Sequence, residues 1–196
     1  MSSNIDTAVP PLGNATTAGV RNNFAQAKTE IEALQQQIGF ADYNDLLTAT
    51  TPISVSASTL TKLTNDTLGP NTKTDALPIL VDSLWNAVTN QLDLTDLTVN
   101  TMVEFRGDIQ VTTTAANQNV RVELALAIGN AIAFSLPSNT ISYKTTGVQR
   151  IIAQIPFYIG STPVRTNPGE VRIFSDAACT VRVNGWYIRV IKYLAD

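Results

Sequence analysis

Two aspartates, Asp93 and Asp96 in the segment LDLTDL, come nearest in type and spacing to catalytic residues. Two carboxyl groups about 5–9 Å apart are what a glycoside hydrolase needs, and these two could face each other across a turn. The favoured alternative is that they cap a turn or are solvated where a strand begins. The chain has no histidine, which excludes Ser/His/Asp and Cys/His catalytic sites and zinc sites that use histidine. We therefore expect a protein that is not an enzyme.

Oxygen ligands for a metal ion are present without a recognised loop to hold them. Asp66, Asp82 and Asp93 could in principle form a calcium site, because calcium prefers clustered oxygens. The sequence contains no D-x-D-x-D-G loop and no glycine-rich loop that would cradle a phosphate. We therefore expect no metal and no cofactor. The net charge of −3 and the absence of a basic patch argue against nucleic acid as a partner.

Trp85 in VDSLWNAVTNQ is a second kind of candidate, because an exposed tryptophan can stack on a sugar ring. A receptor-binding domain would need such a platform. The favoured alternative is that Trp85 packs beneath a connection between strands, with Leu84 and Val88 as neighbours. Cys179 is the single cysteine, so no intramolecular disulfide is possible, and we expect a buried or half-buried thiol.

These residues must be positioned by the elements around them, and the first segment, residues 1–16, is not a core element. It combines Pro10, Pro11 and Gly13 with small polar residues, which predicts an extended arm. We expect this arm to attach the protein to a partner, with Pro10, Pro11 and Leu12 as candidate contacts. The segment lacks the regions of a secretory signal, and no apolar run approaches the roughly 20 residues that span a bilayer. We expect neither an export signal nor a membrane partner.

A heptad pattern follows the arm and predicts a helix of about 20 residues, ending near Gly39. Its narrow apolar stripe favours a parallel coiled coil, although it could instead pack on the protein's own sheet. So short a coiled coil would be marginal alone, and contacts further along the chain must help hold the copies together. We assign residues 17–49 to a helical stalk. The seam of a trimer would be Val20, Phe24, Ala27, Ile31, Leu34 and Ile38.

Residues 50–196 show the period-two alternation of β-strands, as in MVEFRGDIQV, NVRVELALAI and QRIIAQIPFYI. Pro156 in the last of these is allowed only at a sheet edge or at a bulge. Many short strands without intervening helical patterns predict an antiparallel β-sandwich or jelly roll. The expected fold is therefore mainly β, with an N-terminal extended arm, a short coiled-coil helix and a jelly-roll head domain.

The segment VNGWYIRV contains Asn184 and Gly185, the favoured pair for the turn of a two-residue hairpin. The phase of the alternation places Trp186 in the core. Tyr187, Ile191 and Tyr193 then share the opposite face, which is too apolar to be left exposed. We expect these three residues to contact a neighbouring subunit.

Two parts of the sequence resemble proteins of tailed bacteriophages. PPLGNATTAGVRNNFAQAKTEIEALQ resembles a motif near the start of virion proteins, especially those of cyanophages and marine phages. TPISVSASTLTKLTNDTLGP, LWNAVTNQLDL, MVEFRGDIQV and SDAACTVRVNGWYIRV resemble a trimeric jelly-roll head domain, similar in architecture to tumour-necrosis-factor-like heads. The resemblance implies a trimer on the virion surface, of the decoration, cement or fibre type.

The resemblance and the short stalk together favour a capsid decoration or cement protein. Such a homotrimer would be made in the host cytoplasm and would bind the major capsid protein or another virion protein through its arm. The alternative is the knob of a head or tail fibre that recognises a host-surface receptor or glycan, through loops around Trp85 and residues 161–168. Both hypotheses predict a trimer, so the oligomeric state does not distinguish them.

Overall fold

The computed structural model describes residues 17–35 and 37–192. It begins with helix α1, Thr17–Gln35. Phe24 and Ile31, on the predicted seam, are exposed, and Val20 and Ala27 are half-buried. No helix among the described residues is long and apolar enough to cross a membrane. The predicted attachment arm, with Pro10, Pro11 and Leu12, and the C-terminal Tyr193 lie outside the described residues, as does the side chain of Leu34.

The first sheet has five strands, and its alternating sequences give it one buried and one outer face. The strands are β1 (Ile38–Asn44), β2 (Ile53–Val55), β6 (Met102–Thr113), β10 (Gly147–Tyr158) and β12 (Cys179–Ile191). Their order is β1, β12, β6, β10, with β2 also paired to β12, and all pairs are antiparallel. β10 is therefore an edge strand, which is one of the two positions expected for Pro156, an edge or a bulge.

The second sheet also has five strands, which are β3 (Thr61–Lys62), β7 (Gln118–Leu126), β8 (Phe134–Pro137), β9 (Ile141–Tyr143) and β11 (Glu170–Ser175). Their order is β3, β11, β7, β8, with β9 also paired to β7. A small hairpin of β4 (Trp85–Asn86) and β5 (Gln91–Leu92) and a short helix, α2 (Thr162–Thr166), lie in the connections between the strands of the two sheets. A 3-10 helix, Leu47–Ala49, follows β1.

Both sheets contribute their buried faces to one hydrophobic cluster. Phe105 of β6, Leu124 of β7 and Ile173 of β11 are fully buried within it. Trp186 is also fully buried, as the alternation predicts, and its ring meets that of Trp85 edge-on at 5.8 Å between centroids. The predicted fold class, a mainly β antiparallel sandwich, is confirmed.

The predicted hairpin at Asn184 and Gly185 is wrong, because β12 runs without a break from Cys179 to Ile191. Asn184 is instead the extra residue of a β-bulge, since Val183 pairs with Ile109 and Gly185 pairs with Asp108. A Cβ atom at position 185 would lie 2.7 Å from the carbonyl oxygen of Tyr43. The glycine is thus required by the close approach of β1 and not by a turn.

The stalk prediction also differs from the structure at its C-terminal end. The helix ends at Gln35, and Ile38, the last residue of the predicted seam, begins β1 and pairs with Ile191. The 3-10 helix that follows is tied to the sandwich as well, because the buried Thr48 hydroxyl accepts a hydrogen bond from Val183 N at 2.8 Å. The sandwich therefore begins at residue 38, and residues 38–49 are part of the head.

Candidate functional site

The acidic residues considered for catalysis stabilise loops. Asp93 Oδ1 accepts hydrogen bonds from the backbone N–H of Thr95 at 3.0 Å and from its hydroxyl at 2.7 Å. Asp96 Oδ2 accepts one from the backbone N–H of Asp82 at 3.1 Å. These contacts agree with the interpretation that both residues cap turns. The two carboxylates accept their hydrogen bonds from different residues, Asp93 from Thr95 and Asp96 from Asp82.

Asp66, considered for calcium, organises the turn between β1 and the 3-10 helix. Its carboxylate accepts hydrogen bonds from the backbone N–H of Leu46, Leu47 and Leu68 at 2.9–3.0 Å. Burial opposes ionisation of Asp66, but these three donors outweigh it, so its pKa lies below the ordinary value. Within residues 17–35 and 37–192, no group of three or more acidic, cysteine or histidine side chains could hold a metal ion.

Trp85 is buried, and its Nε1–H donates to the carbonyl oxygen of Asn65 at 3.0 Å. It therefore offers no platform for a sugar, as the favoured interpretation predicts. Leu84 is buried beside it, but the expectation that Val88 packs there is wrong, because Val88 is 93% exposed at the tip of the β4–β5 hairpin. Cys179 is buried, as expected, and burial raises the pKa of its thiol.

The outer face of the first sheet carries an exposed row of apolar side chains, here called the apolar row. It consists of Ile38, Ile191, Met102 and Tyr158, which pair in that order across β1, β12, β6 and β10. Their exposed fractions are 54%, 42%, 50% and 63%. Because neighbouring strands lie about 5 Å apart, the four side chains form one continuous band.

Tyr187 lies on the same face, four residues before Ile191 of the apolar row along β12, and is half-buried. Its ring stacks on Phe40 of β1 at 5.4 Å between centroids. Tyr187 is predicted to be covered by a neighbouring subunit, but Phe40 of the same chain already covers part of its ring. Ile191 belongs to the apolar row, and it is the member of the predicted contact set that the structure shows to be exposed.

A cluster of charged and amide side chains, the polar cluster, lies beside Tyr187 around a cavity of about 160 Å³. Asp108 accepts hydrogen bonds from Arg150 Nε at 3.0 Å and from Asn184 Nδ2 at 2.9 Å. Burial opposes ionisation of Asp108, but these two donors and the positive charges of Arg150 and Arg106 outweigh it and lower its pKa. Burial raises the pKa of Asp42, against the hydrogen bond that it accepts from Asn44.

A second apolar surface, the edge groove, opens where the two sheets end side by side. It lies between β8, α2 and the end of β10, and Tyr158 belongs both to it and to the apolar row. Ile132 and Phe134 are exposed there. The groove is lined by Ile132, Phe134, Leu136, Pro156, Phe157, Tyr158, Gly160, Ser161 and Val164.

Sequence reasoning missed Met102 and Tyr158, which complete the apolar row. Both are in phase with the outward-facing charged residues of their strands, and an apolar residue in a polar phase is the signal that could have singled them out. That they lie next to Ile38 and Ile191 could not be predicted from the sequence, because it depends on pairing across four strands.

A polar pocket, the α2 pocket, lies on the other side of α2 from the edge groove and encloses about 190 Å³. The structure here brings together the two regions named for the receptor-binding alternative, the segment after Trp85 and residues 161–168. Its lining is formed by Asn86, Thr89, Gln91, Leu92, Asp93, Thr95, Arg165, Thr166, Asn167 and Pro168.

No protein-family model matches the sequence, and no curated protein sequence matches it. Among solved structures, the chain is similar to Eiger TNF from S. frugiperda, with 9% identity over 81% of this chain and 95% of that chain, and a TM-score of 0.45. It is similar to the PRD1 vertex protein P5, with 15% identity, 80% and 96% coverage and a TM-score of 0.37. It is also similar to a Cowpea Mosaic Virus empty virus-like particle, with 10% identity, 80% and 79% coverage and a TM-score of 0.28. These values assign neither a family nor a function to the chain.

Proposed function

We propose that this chain is a non-enzymatic structural protein of a phage virion, a homotrimer that decorates and stabilises the capsid. The observation that supports it most is the apolar row on the outer face of the first sheet. An exposed band of three aliphatic or thioether side chains and one aromatic ring, flanked by charged residues, has the anatomy of a subunit contact. The flanking pair is Arg189 and Glu104, 3.9 Å apart.

The apolar row and the edge groove suggest how copies fit together. If the edge groove of one copy packs on the apolar row of the next copy, the contact joins two different surfaces of the same kind of chain. Such heterologous contacts close into a ring when the rotation between copies allows it. A trimer of this kind would cover Ile38, Ile191 and Met102 of one copy with Phe134 and Tyr158 of its neighbour.

Chain connectivity links this contact to the helix. Ile38 belongs to the apolar row and follows the end of α1 at Gln35 by three positions. A contact through the row would therefore bring the C-terminal ends of the α1 helices close to one another. The exposed Phe24 and Ile31 could then pack in the predicted coiled-coil seam, which two heptads alone would hold weakly.

The proposed mechanism is mass action. A partner that binds the assembled shell, and not its free subunits, shifts the equilibrium toward the shell. Three arms on one trimer raise the effective concentration of each arm at its site. In this proposal Pro10, Pro11 and Leu12 contact the major capsid protein or another virion protein.

A direct test mixes the full-length protein with undecorated capsids of its virus and follows the melting temperature of the capsids. We expect binding in many copies and a higher melting temperature. Removal of residues 1–16 should abolish both effects, and replacement of Pro10, Pro11 and Leu12 by serine should reproduce the loss without shortening the chain.

A matched control replaces the exposed Val88 by serine and should bind like the unchanged protein. If the full-length protein binds no capsid, the decoration role is wrong. The second candidate, a head- or tail-fibre knob that recognises a host-surface receptor or glycan, would then take its place. The α2 pocket is the observation that favours this second candidate.

A further inference from the structure

The α2 pocket has walls fixed by hydrogen bonds of the chain itself. Asn86 Oδ1 accepts from the backbone N–H of Val88 and Thr89 at 3.0 and 3.1 Å, which fixes the hairpin wall. Leu92 and Gly169 exchange two backbone hydrogen bonds, at 2.8 and 3.0 Å, which tie that hairpin to the segment after α2. The pocket is thus formed before any ligand arrives.

Arg165 gives the pocket an unused positive charge. Its Nε atom is buried and has no hydrogen-bond partner. Among the described residues, its guanidinium group makes neither a hydrogen bond nor an ion pair. Buried donors in folded proteins nearly always have a partner, and the planar guanidinium group matches a carboxylate with two parallel hydrogen bonds.

The remaining lining offers hydrogen-bond capacity of both kinds. The Asn86 side chain uses its oxygen, so its amide N–H groups are available to a ligand acceptor. Asp93 holds Thr95 through Oδ1, which leaves Oδ2 to accept from a ligand hydroxyl. Asn167 donates through Nδ2 to Pro163 O at 2.9 Å, which leaves its side-chain oxygen as an acceptor.

This combination selects among ligand classes. A simple inorganic anion would satisfy Arg165 but would leave the acceptors of Asp93 and Asn167 unused. A neutral sugar would use the acceptors and leave the guanidinium group without a counter-charge. A sugar that carries a carboxylate and several hydroxyl groups satisfies both requirements.

We propose that the α2 pocket binds one acidic sugar residue, with its carboxylate on Arg165 and its hydroxyl groups on Asn86, Asp93 and Asn167. The site is independent of the apolar row and of the proposed decoration role. Its lining shares no residue with the proposed subunit contact, so sugar binding and capsid decoration do not exclude each other.

The test measures binding of methyl glucuronide and of methyl N-acetylneuraminide to the full-length protein by isothermal titration calorimetry and saturation-transfer NMR. Methyl glucoside and inorganic phosphate serve as the neutral and the anionic comparison. We expect at least one acidic sugar to bind about 10-fold or more tightly than methyl glucoside and phosphate, the size of one charge-assisted contact.

Two variants locate the site. Arg165→Gln should weaken binding of the acidic sugar about 10-fold or more, while the same change at the exposed Arg182, on the first sheet, should leave it unchanged. Thr89→Tyr should block the pocket from its rim, and since Thr89 is exposed and its hydroxyl makes no hydrogen bond in the described part of the chain, the melting temperature should be preserved.

The proposal is overturned if neither acidic sugar binds the unchanged protein or if phosphate binds as tightly as both. It is also overturned if a variant that keeps the melting temperature, Arg165→Gln or Thr89→Tyr, binds the acidic sugar with unchanged affinity. Loss of capsid binding by itself does not affect it, since the arm and the α2 pocket are tested by different ligands.

Discussion

Glu170 is the residue on which two side chains of the second sheet and one of the β4–β5 hairpin converge. Its carboxylate accepts hydrogen bonds from Lys62 Nζ at 3.0 Å and Gln91 Nε2 at 3.1 Å through Oε1, and from Arg172 Nη2 at 2.7 Å through Oε2. Burial opposes ionisation of Glu170, but these donors outweigh it and lower its pKa. Ionised Glu170 therefore stabilises the fold above its unfolded-state pKa, and this stability is lost as the pH falls through the folded-state pKa.

Glu170→Gln should lower the free energy of unfolding at pH 7 by about 1 kcal/mol, after allowance for partial exposure. The difference from the unchanged protein should shrink at a pH below the folded-state pKa of Glu170, where the carboxyl group is protonated in both states. Urea unfolding at the two pH values measures this. Glu104→Gln, in an exposed pair with Arg189, is the matched control and should have no measurable effect. A loss of equal size at both pH values would show that Glu170 acts through packing and not through its charge.

At the scale of an element, the bulge in β12 lies where this strand meets the end of β1. Asn184 is the extra residue, and its carbonyl oxygen accepts a hydrogen bond from Asp45 N at 3.2 Å. The adjacent glycine lets the backbone of β1 approach closely. The bulge therefore joins two strands that are far apart in the sequence, which explains why an Asn-Gly pair occurs here without a turn.

Gly185→Ala should destabilise the protein by roughly 1–3 kcal/mol, because the new methyl group would displace β1. Thermal and urea unfolding measure the loss. Gly129→Asn is the control, since a Cβ atom there has open space and asparagine tolerates the positive φ of +84°. Equal stability of Gly185→Ala and the unchanged protein would mean that β1 moves without cost and that the close approach is not a constraint.

At the scale of the whole molecule, the proposed trimer depends on surfaces that no single strand carries. The apolar row needs four strands in register, and the edge groove needs the edges of both sheets. Because these two surfaces meet at Tyr158, association would cover one continuous apolar area. A charge placed within it would have to be desolvated in the contact.

Ile191→Lys combined with Met102→Lys should therefore shift the full-length protein from trimer toward monomer, with association weakened about 10-fold or more. Light scattering coupled to gel filtration over a concentration series measures the mass. Val88→Lys adds one of these two charges at an exposed hairpin tip and should leave the trimer intact. A monomeric unchanged protein at all concentrations would contradict the proposed assembly.

The helix provides the complementary comparison. Phe24→Ser with Ile31→Ser removes two exposed members of the predicted seam and leaves the apolar row unchanged. We expect a smaller shift toward monomer than the row variant gives, because two heptads contribute little by themselves. If the helix variant dissociates and the row variant does not, the coiled coil holds the copies together and the row has another partner.

The sequence by itself determined the features that depend on local period and composition. Alternation with period two predicts the strands and the burial of Trp186, and the heptad spacing predicts α1, because side-chain direction follows from local backbone geometry. The tertiary structure decided the features that depend on pairing between distant segments. Ile38 joins β1 through its partner in β12, Asn184 forms a bulge where β12 pairs with β6, and Arg165 meets Asn86 in one pocket. Register and strand order are set by long-range packing, which local spacing does not encode.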